Sequence, residues 1–355
     1  MTVAPSADTP QLGSHVRQLV VSEVVRETKD AVSLVFPVPD DLVETFKYWP
    51  GQYLTLRIPS ERTGSVARCY SLCSSPHLDD AELMVTVKRT PDGYASNWIC
   101  DNAAPGMSIP LLPPAGTFYP KSLDYDLVFF AAGSGITPVI SIIKSALAAG
   151  KGRIALFYAN RDQESVIFAE QLAVYAEEFP DRFVLQHWLE SEQGVPSKEA
   201  IASFVKDRRN WRLFMCGPAP FMDAVGAAAT GAGVDPVLLH REVYFSLDSD
   251  PFAPIVVRPA SELPPARVTV QLDDGEHVLA WDRETPLLDH LLDRGLDVPY
   301  SCRQGECSSC VCTVVDGEVR MLRNETLVDE DLRLGLTLAC QAVPETDEVI
   351  IAFDQ

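Results

Sequence analysis

Near the end of the chain, Cys302, Cys307, Cys310 and Cys340 follow the spacing C-x4-C-x2-C-x29-C. No other feature restricts the fold as much. Three of the four thiols must come from one tight loop and the fourth from a distant strand, so the chain has to close into a cage. Four thiolates balance two irons and two sulfides, and this is the spacing that holds a [2Fe–2S] cluster. Gly305, Ser308 and Ser309 lie between the cysteines, and their small size lets backbone amides wrap close to sulfur. Structural zinc ordinarily uses two short C-x2-C knuckles, and only one is present here. Cys312 falls outside the spacing, within the apolar run Val311–Val315, where a core thiol is expected.

Composition narrows the class of protein around that cage. The chain has 355 residues, 46% hydrophobic and 22% charged, which suits two or three globular domains. No run approaches the roughly 18 apolar residues of a membrane span. Met1 to Gln11 have neither a basic start nor an apolar centre, so no secretory leader is expected and the cytoplasm is the expected location. In that reducing compartment nine cysteines do not make a disulfide framework. A net charge of −21 argues against a nucleic-acid partner. From Arg267 onward there are 19 acidic residues against 7 arginines, and the last lysine is Lys206. Such an acidic face, Asp329, Glu330 and Asp331 included, maintains solubility and can steer docking onto a basic partner in a salt-dependent way.

Three patterns follow one another along the chain. Residues 14–120 alternate short apolar runs such as LTLRI and LMVTVKR with Gly and Pro, as an antiparallel β-barrel would. Residues 121–245 alternate strands (DLVFFAA, RIALFYA, FVLQHWL, WRLFMC) with helices, the pattern of an α/β parallel sheet. The helices are expected from about Pro138, over SVIFAEQLAVYAEEF, over Ile201–Lys206 and over FMDAVGAAAT. Residues 246–266 contain Pro251, Pro254, Pro259, Pro264 and Pro265 without apolar periodicity and read as a semi-rigid linker. Residues 267–355 form a compact last domain. It opens with a hairpin turning at Asp274–Gly275 and a helix N-capped by Thr285 and ended by Gly295.

Two further groups of residues carry chemistry. In the first third stands RCYSLCSSP, with Arg68, Cys69, Tyr70 and Ser71, followed by VKRTPDGYASNW, with Val87, Lys88, Gly93, Tyr94, Ala95 and Ser96. A flavin needs an aromatic cover, a donor near N5, positive charge and free backbone N–H groups for its phosphates. Tyr70, Ser71, Arg68 and a helix opening at Gly93–Ser96 supply these in turn. In the α/β part, FFAAGSGITP places Gly133, Ser134, Gly135, Thr137 and Pro138 at the first strand-to-helix turn, where a diphosphate can approach the backbone. MCGPAPF adds Cys216, Gly217 and Pro218, and HREVYF adds Glu242 and Tyr244. In YANRDQES, Arg161 suits a 2′-phosphate whereas Asp162 opposes one and prefers a ribose hydroxyl. The balance favours NADH and leaves NADPH open.

The last domain resembles the plant-type ferredoxins, which implies a β-grasp fold carrying one electron. The paired R-x-Y-S and G-x-x-S motifs ahead of a βαβ domain resemble the ferredoxin–NADP reductase superfamily. That resemblance implies FAD, with Arg68 on its diphosphate, Tyr70 stacked on the isoalloxazine, Ser71 at N5 and the Gly93–Ser96 turn on the diphosphate. It also implies Cys216, Gly217 and Pro218 in the nicotinamide pocket, Glu242 near the hydride path and Tyr244 over the flavin. Ser71, Cys216 and Glu242 are therefore the catalytic candidates. The module order is similar to reductase components of bacterial multicomponent oxygenases. Within these, RCYSLCSSP, YASNW and NRDQESVIFAEQL lie nearest the 3-ketosteroid 9α-hydroxylase and phenylacetyl-CoA epoxidase reductases, the former preferred. The implied route is NADH to FAD to [2Fe–2S] to a terminal oxygenase. Two other readings are a stand-alone NAD(P)H diaphorase and a redox-sensing binding module. The first lacks a substrate constellation in the sequence and the second lacks a basic or signal-binding segment.

Overall fold

The computed structural model describes residues 13, 15–78, 82–244, 247, 250–254, 261–272, 275–296 and 298–353. The expectations for residues 1–11, Phe245, Pro259 and Asp274 lie outside those residues.

The first part contains β1 (Arg17–Val20), β2 (Glu23–Thr28), β3 (Ala31–Pro37), β4 (Tyr53–Ser60), β5 (Gly64–Ser71), β6 (Glu82–Lys88), α1 (Tyr94–Asn102) and β7 (Ser108–Leu111). These strands make two antiparallel sheets, ordered β1-β7-β4-β5 and β2-β3-β6, where one continuous barrel was expected. A bridge between Leu72 and Val85, with the Cys73 N–H donating to the Met84 carbonyl at 2.8 Å, joins them at one corner. Leu54, Leu56 and Ile58 alternate along β4 into the core between the sheets, together with Leu34, Phe36 and Val85. Tyr53 and Thr55, on the opposite face of β4, are also buried. An antiparallel sheet ordinarily leaves one face to water, so something must cover this one.

The second part is a five-stranded parallel sheet, β8 (Leu127–Ala132), β9 (Ile154–Asn160), β10 (Phe183–Leu189), β11 (Arg212–Cys216) and β12 (Leu239–Glu242), in the order β10-β9-β8-β11-β12. Its helices are α2 (Ile136–Ala149), α3 (Ala169–Glu178), α4 (Glu190–Gln193), α5 (Lys198–Val205) and α6 (Ala219–Gly231). β8 and β9 are continuous apolar runs because helices cover both faces. The strand order reverses between β8 and β11, which opens a crevice at their carboxyl ends. Helix α2 starts two residues before Pro138, after a 3-10 turn at Gly133–Gly135. Helix α3 starts only at Ala169, because Phe168 takes a left-handed conformation (φ 60°) and breaks the run expected from Ser165.

The last part comprises β13 (Ala266–Leu272), β14 (Gly275–Trp281), α7 (Leu287–Asp293), β15 (Val311–Asp316), β16 (Val319–Met321), α8 (Asp329–Arg333), β17 (Leu336–Leu338), β18 (Ala342–Pro344) and β19 (Glu348–Ala352). The mixed sheet runs β14-β13-β19-β15-β17, with β13 and β19 parallel at its centre, and Leu287, Leu288, Leu291 and Leu292 of α7 are buried in its core. This is the β-grasp arrangement. Pro286, not Thr285, is the N-cap of α7. Thr285 instead lies in the turn before the helix, where its carbonyl accepts the indole N–H of buried Trp281 at 2.8 Å.

Candidate functional site

The four cysteines of the 302–340 motif come together. Arg303 (φ 57°), Gly305 (φ 79°) and Ser308 (φ 57°) all adopt left-handed backbone, which coils the loop tightly. A Cβ on Gly305 would lie 2.9 Å from the Arg323 carbonyl oxygen, so both conformation and space demand glycine there. Backbone N–H groups point at sulfur: Gln304 to Cys302 at 3.3 Å, Cys302 to Cys307 at 3.4 Å and Cys340 to Cys310 at 3.5 Å. The thiols of Cys307 and Cys340 hydrogen-bond to Cys302 and hold it well below the usual thiol range. Four thiols, three from one loop and one from the turn after β17, are the ligand set of a [2Fe–2S] cluster. An ion pair from Arg303 to Asp289 at 2.7 Å fastens the loop to α7. Cys312 is buried in β15, apart from these contacts.

The covered face of β4 and β5 lies against this loop. Tyr53 Oη pairs with Ser309 Oγ at 2.6 Å, and Thr55 Oγ1 pairs with Ser301 Oγ at 2.9 Å. Cys69 Sγ lies 3.5 Å from the same Ser301 hydroxyl, and its burial pushes the thiol up to about 11. Ser301 immediately precedes Cys302. Sequence reasoning missed Tyr53, Thr55, Ser301 and Ser309 because hydroxyls on a strand or loop carry no motif.

Two residues further along β5, Ser71 Oγ donates to Tyr244 Oη at 3.5 Å. That hydroxyl also lies 3.1 Å from Thr137 Oγ1 and donates to the Ser134 carbonyl at 3.3 Å, while its ring stays 46% exposed. The R-x-Y-S strand, the glycine turn and the closing aromatic thus meet at one point. Arg68 lies along its own strand, donating to the Ala67 carbonyl at 2.6 Å. Gly93 caps α1, and the Ser96 hydroxyl accepts the Thr90 N–H at 3.1 Å, which fixes the start of the helix. The first N–H groups of α1 have no partner within the helix, as at any helix start, and suit an anion. Tyr94 points away, donating to the Pro59 carbonyl at 2.9 Å. Ala95 is buried and Val87 packs into the core between the sheets, so neither offers a side chain to a ligand.

At the crevice, Cys216 pairs in register with Ala131 of β8 and Glu242 of β12. Cys216 is fully buried and its thiol is pushed far up by desolvation. Desolvation also raises the Glu242 carboxyl to about 8. A Cβ on Gly135 would strike the Cys216 carbonyl oxygen at 2.1 Å, so this glycine lets the two turns interlock. Gly133 (φ 54°) faces Lys88, whose Nζ would be 3.4 Å from a Cβ there. A cavity of about 650 Å³ opens here, lined by Lys88, Gly133, Ser134, Asn160, Arg161, Gly217, Pro218 and Tyr244 among others. A larger cavity of about 1000 Å³ runs along the seam beside Trp49, Tyr300, Ser308 and Ser309, but none of the flavin or nicotinamide candidates lines it. Asn160 is buried, and neither end of its amide has a partner of normal geometry among the described residues, although the Tyr158 hydroxyl lies alongside. A polar residue closing the apolar strand IALFYAN was the signal for it.

Residues 129–226 match the oxidoreductase NAD-binding domain, and residues 270–345 match the 2Fe-2S iron-sulfur cluster binding domain. The ferredoxin reductase component of 3-ketosteroid-9-alpha-monooxygenase from Rhodococcus rhodochrous is 54% identical, over 96% of this chain and 98% of that protein. The chain belongs to the family of these ferredoxin reductase components. A component of the 1,2-phenylacetyl-CoA epoxidase of Escherichia coli K12 is a more distant relative, 34% identical over 95% of this chain and 97% of its own. Phthalate dioxygenase reductase shares the fold across 95% of this chain and 98% of its own, with a TM-score of 0.55 at 22% identity. The reductase is accordingly an NAD(P)H-dependent oxidoreductase that uses FAD, NADH and a [2Fe–2S] cluster. Among the described residues no helix is long and apolar enough to cross a membrane.

Proposed function

We propose that this reductase supplies electrons from NADH to the terminal oxygenase of a 3-ketosteroid 9α-hydroxylase, in steroid breakdown in the cytoplasm. The observation that carries the reading is β5. One strand offers Ser71 to the nicotinamide side, through Tyr244, and Cys69 to the cluster loop, through Ser301. The flavin domain, residues 14–120, thus touches both the nicotinamide domain, 121–245, and the ferredoxin domain, 267–355. When bound, FAD accepts a hydride and the cluster carries single electrons.

The residues have distinct tasks in this reading. Arg68 and the amides of Gly93–Ser96 hold the FAD diphosphate, and Tyr70 and Tyr244 bound the ring space from two sides. Lys88 and the Gly133–Pro138 turn, with Ser134, Gly135 and Thr137, hold the NADH diphosphate. Cys216, Gly217, Pro218 and Glu242 line the nicotinamide end, where buried Cys216 keeps water from the base of the pocket and Tyr244 stands over its mouth. Cys302, Cys307, Cys310 and Cys340 hold the cluster. The acidic residues Asp329, Glu330 and Asp331 of α8 guide the oxygenase, and docking weakens with salt.

Reconstitution tests the proposal. Purified reductase should sustain NADH-dependent turnover of a 3-ketosteroid by its oxygenase component, and no turnover of phenylacetyl-CoA by an epoxidase. Support of the epoxidase alone would reverse the assignment.

A further inference from the structure

The ribose end of the dinucleotide cavity contains more charge than a hydroxyl needs, and the way those charges pair decides what it can bind. At the end of β9, Arg161 is held from two sides. Its Nε lies 3.1 Å from Asp162 Oδ2, and its Nη2 lies 3.6 Å from Asp30 Oδ2. Asp162 belongs to the same loop, where its side chain also accepts the Ser165 N–H at 2.9 Å. Asp30 comes from the other domain, in the turn between β2 and β3. The Arg89 N–H bonds to its carbonyl at 2.8 Å, and Thr28 Oγ1 donates to its carboxylate at 3.0 Å, so the residue is fixed beside Lys88. Its neighbour Lys29 crosses the same seam to Glu164 at 3.4 Å.

In nucleotide-binding sheets of this kind the adenosine ribose falls at the end of the second strand, where an acid favours a 2′-hydroxyl and an arginine a 2′-phosphate. We infer that Asp30, reaching across from the flavin domain, sets the preference for NADH by occupying Arg161. Lys29, Lys88 and Arg161 are matched by Asp30, Asp162 and Glu164. Lys88, beside Gly133, serves the diphosphate, so among the described residues lining the cavity no cation is left for a third phosphate. The buried Asn160 amide, facing the same cavity without a partner of normal geometry among the described residues, suits a neutral ribose diol. Asp30 is a specificity residue that acts through Arg161.

The inference rests on the Gly133 turn as the diphosphate seat. The test is titration of the intact, FAD- and cluster-loaded protein with NAD+ and with NADP+, reading the ratio of the two dissociation constants. Asp30→Asn keeps the shape and the Thr28 contact while removing the charge. It should shift the ratio toward NADP+ by on the order of tenfold, as one freed charge-assisted contact would. The double variant Asp30→Asn with Arg161→Ala should lose that shift. An unchanged ratio in Asp30→Asn, or a shift that persists without Arg161, overturns the inference. Failure of the wild-type protein to bind either dinucleotide would instead overturn the assignment of the seat.

Discussion

Glu242 offers a quantitative test of the hydride end. Burial at the end of β12 raises its carboxyl to about 8, with no cation among the causes that would hold it ionised. At pH 7 about one molecule in eleven then carries the carboxylate, at pH 8 about half, and at pH 9 about ten in eleven. The nicotinamide of NAD+ is a cation, and a carboxylate in its pocket favours it. If the ionised form is the competent one, the apparent affinity scales with that fraction. Titration of the oxidised protein with NAD+ should therefore show binding tightening about tenfold from pH 7 to pH 9, with most of the change complete just above pH 8. Glu242→Gln mimics the neutral carboxyl and should bind NAD+ weakly, with no such pH trend. A flat wild-type profile, or the same trend in the Gln variant, would refute the argument and leave Glu242 as a buried strand end.

Other consequences are simpler to read. The folded pKa of Glu242 lies above its unfolded value, so its contribution to stability is present in acid and disappears as pH rises toward 8; chemical denaturation of Glu242→Gln should lack that loss. The purified protein should contain about two irons and two labile sulfides per chain, and Cys340→Ser should lose the cluster absorbance while retaining FAD; zinc without iron would contradict the cage. Arg68→Ala should lower FAD occupancy after gel filtration, and full occupancy would remove Arg68 from the diphosphate site. Thr55→Val leaves Ser301 facing an apolar group at a buried interface, a cost of about 1–3 kcal/mol. It should slow electron passage to the cluster in stopped flow while sparing flavin reduction, and equal slowing of both would point to a general structural defect.

Legibility in the sequence followed how local each constraint was. The cysteine loop was readable because four ligands and their spacing lie on the chain itself, and β8, β9 and β11 were readable because buried parallel strands are apolar throughout. The division of the first part into two sheets was not, since alternation marks strands and says nothing of closure. Phe168 broke α3 through a left-handed backbone that a phenylalanine does not advertise. Lys88 was expected with the flavin motif, yet its amine faces Gly133 across the domain seam, and Asp30 carried no signal at all. Such residues acquire meaning only when two domains that are distant in sequence are brought together.

The segment expected to be a semi-rigid linker illustrates the same point. Leu247 and Phe252 are buried in the core shared with the ferredoxin domain. Around them, Gly13 N–H donates to the Phe252 carbonyl at 3.0 Å, Arg57 pairs with Asp250 at 3.3 Å, and Arg303 of the cluster loop donates to the Ala253 carbonyl at 3.3 Å. The described part of the segment is therefore stitched both to the flavin domain and to the cluster loop. The Tyr53–Ser309 and Thr55–Ser301 pairs add a second fastening, and paired hydroxyls in a buried seam fix register more than they add affinity. A domain held at both its tether and its face need not swing to reach the flavin strand.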